Sequence, residues 1–478
     1  MVSTKEQITE AIRLKENVII DTSKYIWNNP ETAFQEYKSM NYLCEVLENE
    51  GFQVEKKAGN IETSFVATFG EGKPIIGFLG EFDALSGLSQ KADTDEQDPI
   101  IDNGNGHGCG HNLLGTGSLA AAFAIKSYLE ENGLEGTVKY MGCPAEEGGA
   151  GKGFMAREGV FDDLDVALTW HPSPGNGILM SSGSLANYQI AYQFEGVSSH
   201  AAQSPHLGRS ALDAVELTNV GVNYLREHIK PEARVHYAVT NTGGIAPNVV
   251  QAKAEVLYLM RSPNLQEAKN IYDRVTKIAE GASLMTETDM TLRFDTAVSN
   301  YVANKSLENI MYQKFTELGT VKHTREEEDF AKNIWNTFTN QEKDAALTGL
   351  GMPGPMEKRN ELKGKYLSDV ISPYDTPAFG STDVGDVSWV VPTAQCTVAT
   401  GAIGTPHHSW QMVSQGISTI AHKGMLRAGE VMALTATELI ENPEVLHKVQ
   451  EEHKNTFAES PYKSPIPNEV QPPSSFEE

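Results

Sequence analysis

The spacing of apolar residues divides the chain into segments of helical and strand character. After a capping signal that begins at Thr4, apolar residues recur at helical spacing, which predicts a first helix that ends near Pro30 and a second over about 35–50. Two β-rich runs follow at 65–69 and 74–79, and the second is almost wholly apolar. Such a run is typical of a strand buried on both faces of a sheet.

Helices and strands then alternate up to about residue 170. Residues 113–129 are rich in Ala and Leu and predict a helix, whereas 137–143 and 166–170 predict strands, with a short helix over 154–158 between them. This alternation is the pattern of crossover helices that join parallel strands. The sequence therefore predicts an α/β domain with a mostly parallel central sheet flanked by helices.

The pattern changes near Ser184, where apolar and mostly polar residues begin to alternate as in a strand with one buried face. The predicted order that follows is β-α-β-β-α-β, which indicates an inserted α+β, ferredoxin-like domain over 184–300. The larger domain then comprises 1–183 and 301–459. A tail over 460–478, with five prolines and acidic ends, is expected to be poorly ordered.

Charge and composition exclude several functions. The 478 residues include 38 Lys and Arg against 64 Asp and Glu, a net charge of −26, which repels nucleic-acid phosphates and anionic membranes. The start of the chain has no apolar signal region, and no apolar run approaches the ~18 residues of a membrane span. We therefore predict a cytoplasmic protein with neither nucleic acid nor membrane as a partner. Four cysteines do not form a secreted disulfide framework.

Side chains with metal-binding or acid–base chemistry collect where predicted strands end or helices begin. They are Cys109, His111, Glu146, Glu147, His171, His407 and His408. A lone histidine is more often hydrogen-bonded scaffolding, and adjacent glutamates are commonly solvated. However, open α/β sheets bind ligands at the carboxyl ends of their strands, and four separate segments supply ligand types there. Together they predict a metal centre.

Seven short segments carry a family resemblance in their order along the chain: GEFDAL (80–85), HGCGHN (107–112), PAEE (144–147), WHP (170–172), SHAA (199–202), PNVV (247–250) and TPHHSW (405–410). In these motifs the chain, from about Ile12 to Glu441, resembles the M20 metallopeptidase/amidohydrolase family, in particular its amidohydrolase branch. The resemblance implies a catalytic α/β domain with two divalent metal ions. It also implies that the inserted domain is a lid that forms a homodimer.

The resemblance implies a metal-ligand set of Cys109, His111, Glu147, His171 and His408, with the thiolate bridging two ions, Mn²⁺ or Zn²⁺. His407 is left as the alternative to His408. Other branches carry a His-x-Asp ligand motif where this chain has Glu81-Phe82-Asp83. Asp83 is therefore expected to orient a ligand imidazole rather than to bind metal. His107 is expected to support the turn that carries Cys109 and His111.

The resemblance also implies the catalytic groups. Glu146, next to a ligand, is expected to act as general base and later as acid to the leaving amine. His200 resembles a family histidine that stabilises the oxyanion, which it reaches from the partner subunit. The alternative for His200 is an ordinary loop histidine.

Substrate selection is expected from the inserted domain. Asn248 and Arg261 match the family positions that grip the substrate carboxylate, although a surface arginine is a fair alternative. Arg209 is a weaker candidate. Asp383, in a glycine-rich polar segment, either lines the pocket or caps the turn.

The resemblance implies hydrolysis of the amide between an acyl group and a carboxylate-bearing amino acid, with p-aminobenzoyl-glutamate as the leading small-molecule substrate. A dipeptidase or N-acyl-amino-acid hydrolase is the alternative within the same family. A metal-binding partner or scaffold subunit without turnover is the non-enzyme alternative. Whether a second, related subunit is needed is left open.

Overall fold

The structure, a computed structural model, describes residues 2–179, 183–348, 360–374 and 380–473. Its strands are β1 (Gln53–Lys56), β2 (Phe65–Glu71), β3 (Ile75–Glu81), β4 (Gly136–Cys143), β5 (Val166–Ser173), β6 (Asn176–Leu179), β7 (Ala186–Glu195), β8 (Arg234–Asn241), β9 (Lys253–Ser262), β10 (Asp289–Val298), β11 (Ile371–Tyr374) and β12 (Thr393–Ala399).

The helices, in chain order, are α1 (Thr4–Asn28), α2 (Tyr37–Asn49), α3 (His111–Asn132), α4 (Glu146–Gly149), α5 (Gly151–Arg157), α6 (Ala211–Leu225), α7 (Leu265–Thr286), α8 (Lys305–Leu318), α9 (Arg325–Asn336), α10 (Asn340–Thr348), α11 (Val384–Val390), α12 (Trp410–Gln415), α13 (Thr419–Glu441) and α14 (Pro443–Thr456). The capping box of α1 is formed by Ser3 and Glu6, one residue before the predicted signal. In the described part of the chain, no helix combines the length and the hydropathy that a membrane span requires.

The larger sheet has the strand order β1-β2-β4-β3-β5-β12-β6-β11. Its centre, β4-β3-β5-β12, is parallel. However, β1, β2 and β4 pair antiparallel, as do β12 and β6. The sheet is therefore mixed: its centre is parallel, as predicted, and antiparallel pairings lie on either side of it. The link of residues 57–64 between β1 and β2 is too short for the crossover that parallel neighbours need.

The core of the larger sheet lies between its central strands and α3. Strand β3 is buried along nearly its whole length, as its apolar sequence predicts. Helix α3 is buried over most of its surface, since it packs on β3 and is covered by α1 and α13. This packing fixes the first turn of α3 at the carboxyl ends of the parallel strands.

A second sheet is formed by residues 186–298, with the antiparallel order β10-β7-β9-β8. Helices α6 and α7 pack against each other and against this sheet, so the chain runs β-α-β-β-α-β. Strand β8 lies at the edge and is exposed apart from Val235. The sheet therefore has two edge strands, β8 and β10, whose outer edges have no neighbouring strand among the described residues.

The described part of the tail, residues 460–473, makes several contacts with the rest of the chain. Residues 460–473 contain no helix or strand, but Ile466 is buried and the Tyr462 hydroxyl donates to Asp386 at 2.9 Å. Arg157 donates to the carbonyl groups of Pro467 and Val470. These contacts pack the segment onto α5 and α11, an outcome that its proline-rich composition does not reveal. Residues 474–478 lie outside the described part.

Candidate active site

A cavity of about 550 Å³ lies where the carboxyl ends of the parallel strands face the second sheet. From the larger sheet and its loops it is lined by Glu81, Cys109, Glu146, Glu147, His171 and His408. From the second sheet, Asn187 and Arg261 contribute to its wall. Strand ends and a helix start thus bring together residues that are far apart in sequence, as expected for an open α/β sheet.

Cys109 and His111 stand at the start of α3. Gly110 between them has φ 78°, a left-handed conformation that glycine adopts without strain. A Cβ at this position would lie 2.9 Å from the end of the Met412 side chain and 3.0 Å from the Cβ of Pro172. The close approach explains why glycine is needed between the two side chains.

Asp83 fixes two elements of the site at once. Its Oδ1 accepts a hydrogen bond from Nδ1 of His111 at 2.8 Å, and its Oδ2 accepts one from the backbone N–H of Glu147 at 2.8 Å. The first bond leaves Nε2 of His111 free to bind a ligand, because a histidine uses one nitrogen for a metal and the other for its orienting partner. Against the effect of burial, Asp83 also raises the pKa of His111 well above its usual value.

Two groups of ligand atoms share the thiol of Cys109. Cys109, His111 and His171 form one group, Cys109, Glu147 and His408 form the other, and within each group the atoms lie within 4.8 Å. The Sγ of Cys109 is 3.4 Å from Nε2 of His171, and Nε2 of His408 is 3.1 Å from Oε1 of Glu147. His407 lies beside these groups, with its ring 5.3 Å from that of His171.

The donor set fits a pair of divalent cations. Nε2 of His111 is buried and has no hydrogen-bond partner among the described residues. Buried polar atoms are normally satisfied, and a metal ion satisfies them as a hydrogen bond does. Thiolate and imidazole suit zinc, whereas carboxylate also suits manganese. The residues present could therefore hold the two ions that the sequence predicts.

Electrostatics distinguish the two adjacent glutamates. Burial, followed by the charges of Glu81 and Glu147, raises the pKa of Glu146 well above its usual value. Although burial acts the same way on Glu147, the hydrogen bond with His408 and the charge of His111 lower its pKa. Glu147 is thus suited to remain an anionic ligand, and Glu146 to exchange a proton.

Arg261, on β9, directs a cation towards the cavity. Its Nε is buried and has no hydrogen-bond partner within the described ranges, and burial alone lowers its pKa. A half-buried guanidinium whose Nε lacks a partner is stabilised when a ligand supplies a carboxylate. The arrangement can therefore bind an anionic group at the second-sheet side of the cavity.

Three predicted site residues lie away from this cavity. His200 and Asn248 meet on an exposed loop, where the N–H of Ala201 donates to the carbonyl of Asn248 at 3.0 Å. Nδ1 of His200 accepts hydrogen bonds from the N–H groups of Ala202 and Gln203. Arg209 pairs with Glu287 at 2.9 Å on the surface of the segment that carries the second sheet. Within one chain, none of the three contributes to the cavity wall.

One buried residue of the site, Lys152, was not predicted from the sequence. Lys152 is fully buried and its Nζ lies 2.6 Å from both Glu81 Oε1 and Asp383 Oδ1. Asp383 lines the cavity and makes no side-chain capping bond to α11. The available signal was a lysine inside the glycine-rich run 148–153, directly after the glutamate pair. Its partners are not predictable, since one is 71 residues before it and the other 231 after it.

The candidate metal groups, the candidate base and the cavity are the parts that a metal-dependent hydrolase requires. The chain belongs to peptidase family M20/M25/M40, whose family model matches residues 77–354. This confirms the family resemblance found in the sequence motifs.

Among its relatives, one of the subunits of the p-aminobenzoyl-glutamate hydrolase of Escherichia coli K12 is 50% identical over 471 residues, which cover 97% of this chain and 98% of the relative. A Xaa-Arg dipeptidase of Mus musculus is 29% identical, with 90% and 88% covered. These relatives are hydrolases, as is this chain.

Solved structures share the fold. A putative aminohydrolase from methicillin-resistant Staphylococcus aureus aligns with a TM-score of 0.64 at 17% identity, covering 91% of this chain and all of that one. An aminobenzoyl-glutamate utilization protein from Klebsiella pneumoniae aligns with a TM-score of 0.58 at 16% identity, covering 88% and 98%. A dinuclear metal binding peptidase of the M20 family from Bacillus subtilis gives 0.55 at 15% identity, covering 90% and 99%.

Proposed function

We propose that the chain is a dinuclear-metal amidohydrolase that cleaves an acyl group from a carboxylate-bearing amino acid. One observation carries this proposal: the two candidate ligand groups share the thiol of Cys109 at the edge of a cavity that also contains Glu146 and Arg261. A shared thiolate suits a bridge between two ions. The relative named for hydrolysis of p-aminobenzoyl-glutamate makes that compound the leading substrate.

In this proposal, residues 1–183 and 301–459 form the metal-binding domain, and 184–300 form a ferredoxin-like lid. Asn187 on β7, Arg261 on β9 and Thr296 on β10 support the lid assignment, because all three line the cavity opposite the candidate ligands. Closure of such an element excludes water and orients the substrate. The lid thereby selects the amino-acid part of the substrate.

The protein side chains divide the chemistry between them. When bound, a pair of divalent ions lowers the pKa of water and polarises the scissile carbonyl. Glu146 accepts the proton of the attacking water on its carboxylate and delivers it to the leaving amine nitrogen. Asp83 holds His111 and the backbone of Glu147 in place during both steps. Cys109, His111, Glu147, His171 and His408 hold the ions, Mn²⁺ or Zn²⁺, and His408 is preferred to His407 because its Nε2 lies next to Oε1 of Glu147.

Replacing Arg261 by lysine is expected to raise KM for p-aminobenzoyl-glutamate by about tenfold or more, because lysine cannot form a bidentate fork with a carboxylate. Steady-state kinetics measure the change. Arg293→Lys is the matched control, since Arg293 lies on the same sheet but is paired with Glu255 and Asp295. An unchanged KM in Arg261→Lys would remove Arg261 from substrate binding.

A homodimer formed through the lid would bring His200 to the cavity of the other protomer. Exposed apolar side chains on the lid support such an interface: Val220 and Tyr224 on α6, the latter 74% exposed, and Tyr237 and Val239 on the edge strand β8. Large apolar patches on a protein surface commonly mark a protein–protein interface. An isologous dimer places each such patch against its copy.

His200→Ala is expected to lower turnover by about 10²–10³-fold, the usual effect of losing an oxyanion donor. Mixing this variant with Glu146→Gln, after exchange of protomers, should restore about a quarter of wild-type activity, because half of the dimers are mixed and each has one complete site. Activity assays of the mixed and separate proteins measure this complementation. If the mixture stays inactive although mixed dimers form, His200 does not act from the partner protomer.

The proposed substrate is tested by a hydrolysis screen of the chain loaded with Mn²⁺ or Zn²⁺. The panel comprises p-aminobenzoyl-glutamate, other N-acyl amino acids and dipeptides, with chelator-treated protein as the control. Release of p-aminobenzoate that depends on metal supports the leading substrate, and cleavage of another member supports the dipeptidase or N-acyl-amino-acid alternative. Metal binding without any hydrolysis would favour the alternative of a scaffold without turnover.

A second, related chain is the remaining proposal about partners. In Escherichia coli K12, two relatives of this chain are named as different subunits of one p-aminobenzoyl-glutamate hydrolase, and the more distant of the two is 29% identical to this chain over 235 residues. The hydrolysis screen is therefore run with the chain alone and with such a related chain present. A hydrolysis rate that rises only when both chains are present supports an enzyme composed of both chains.

A further inference from the structure

Glu81 has two oxygens with very different surroundings. It ends β3, is 2% exposed and lines the cavity. Its Oε1 lies 2.6 Å from Nζ of Lys152, which also contacts Asp383 at 2.6 Å. Its Oε2 is buried and accepts no hydrogen bond from any described residue. Oε1 of the carboxylate is therefore fixed by Lys152, whereas Oε2 has no hydrogen-bond partner among the described residues.

The free oxygen of Glu81 faces the free nitrogen of His111. The two atoms are 3.3 Å apart, and Nε2 of His111 likewise has no hydrogen-bond partner in the described part of the chain. Nδ1 of the same ring is held by Asp83. Ligand atoms of Glu81, His111 and Glu146 lie within 4.8 Å of one another. The convergence of two unsatisfied buried atoms is what a shared cation would explain.

Lys152 does not by itself account for this carboxylate. Its ammonium is shared between Glu81 and Asp383, and its backbone N–H also donates to Asp383 at 2.8 Å. One ammonium with two buried carboxylates leaves a negative charge, and burying an unbalanced charge is costly. A purely structural ion pair would be expected to satisfy both oxygens of Glu81. A cation on the His111 side balances the charge instead.

We propose that Glu81 is a further ligand of the metal centre, through Oε2, to the ion that His111 binds. Lys152 and Asp383 are positioning residues: Lys152 contacts both Asp383 and Oε1 of Glu81, and this contact sets the direction of Oε2. The inference rests on the proposed dinuclear site, and it adds a carboxylate to a group otherwise formed by Cys109, His111 and His171. A hard oxygen ligand shifts the preference of this metal-binding position towards manganese.

The test is metal binding by chelator-treated protein, measured by calorimetric titration with Mn²⁺ and by elemental analysis. Glu81→Gln keeps the shape of the side chain and removes its charge. It should lower the affinity for one of the two ions by about 100-fold. This is the upper end of the loss in metal affinity seen when a residue that only orients a ligand is replaced. Glu327→Gln is the control, because Glu327 is a buried carboxylate paired with Lys423 in a different part of the fold. It should bind two ions with wild-type affinity.

A second variant separates ligation from charge. Glu81→Asp retains the negative charge but withdraws the oxygens by one methylene, so it should also bind one ion more weakly. Two ions bound with wild-type affinity by either Glu81 variant would overturn the inference. If the wild-type chain itself binds no metal, the proposed function fails rather than this assignment. Thermal unfolding of the metal-free variants verifies that they are folded, and Glu81→Asp provides the test if Glu81→Gln is not.

Discussion

Glu146→Gln is expected to lower amide hydrolysis by about 10²–10⁴-fold while the protein keeps its full metal content, because the amide retains the shape of the side chain but cannot accept the proton of water. Burial and the neighbouring carboxylates raise the pKa of Glu146, as a group that exchanges protons near neutral pH requires. Turnover of p-aminobenzoyl-glutamate and elemental analysis of the same sample measure both parts of this expectation.

Glu147→Gln is the comparison variant for Glu146→Gln. Glu147→Gln removes a candidate ligand whose Oε1 lies next to His408, so it should lose metal as well as activity. Near-full turnover by Glu146→Gln would contradict the assigned base. Loss of metal from Glu146→Gln would make it a ligand instead.

Cys109→Ala should lose both ions and all metal-dependent activity. Its thiol belongs to both candidate ligand groups, and each group retains only two protein ligands without it. A bound ion stabilises the folded state by mass action, so Mn²⁺ should raise the melting temperature of the wild type and leave that of the variant unchanged. Thermal unfolding with and without Mn²⁺, together with elemental analysis, measures this difference.

Cys44→Ala is the matched control for the thiol. Cys44 is a free, buried cysteine on α2, and it lies outside the candidate ligand groups. The variant should lose some stability through the smaller side chain but keep both ions. Full metal occupancy in Cys109→Ala would show that the thiol does not bridge the site.

The helices and strands in which apolar residues recur with a regular period were predictable from the sequence. The alternation over 186–194 corresponds to β7, and the apolar run at 74–79 corresponds to β3. In contrast, β6 and β11 are four residues each and were not predicted. Short strands have little periodicity, and their pairing depends on distant residues.

The candidate ligands were predictable because each lies at the end of a strand or the start of a helix within a short motif. The ion pairs of Lys152 were not, since they join β3, α5 and the start of α11 across the fold. The sequence motifs around His200 and Asn248 predict a role at the site, whereas the two residues lie outside the cavity of their own chain. A role from a second protomer depends on an interface that one sequence does not specify.

The central claim is that Cys109 bridges two metal ions at the cavity. An anomalous difference map from crystals grown with Mn²⁺ tests it most directly. We expect two peaks about 3.5–4 Å apart, both adjacent to the Sγ of Cys109. A single peak, or two peaks of which only one contacts Cys109, would contradict the account.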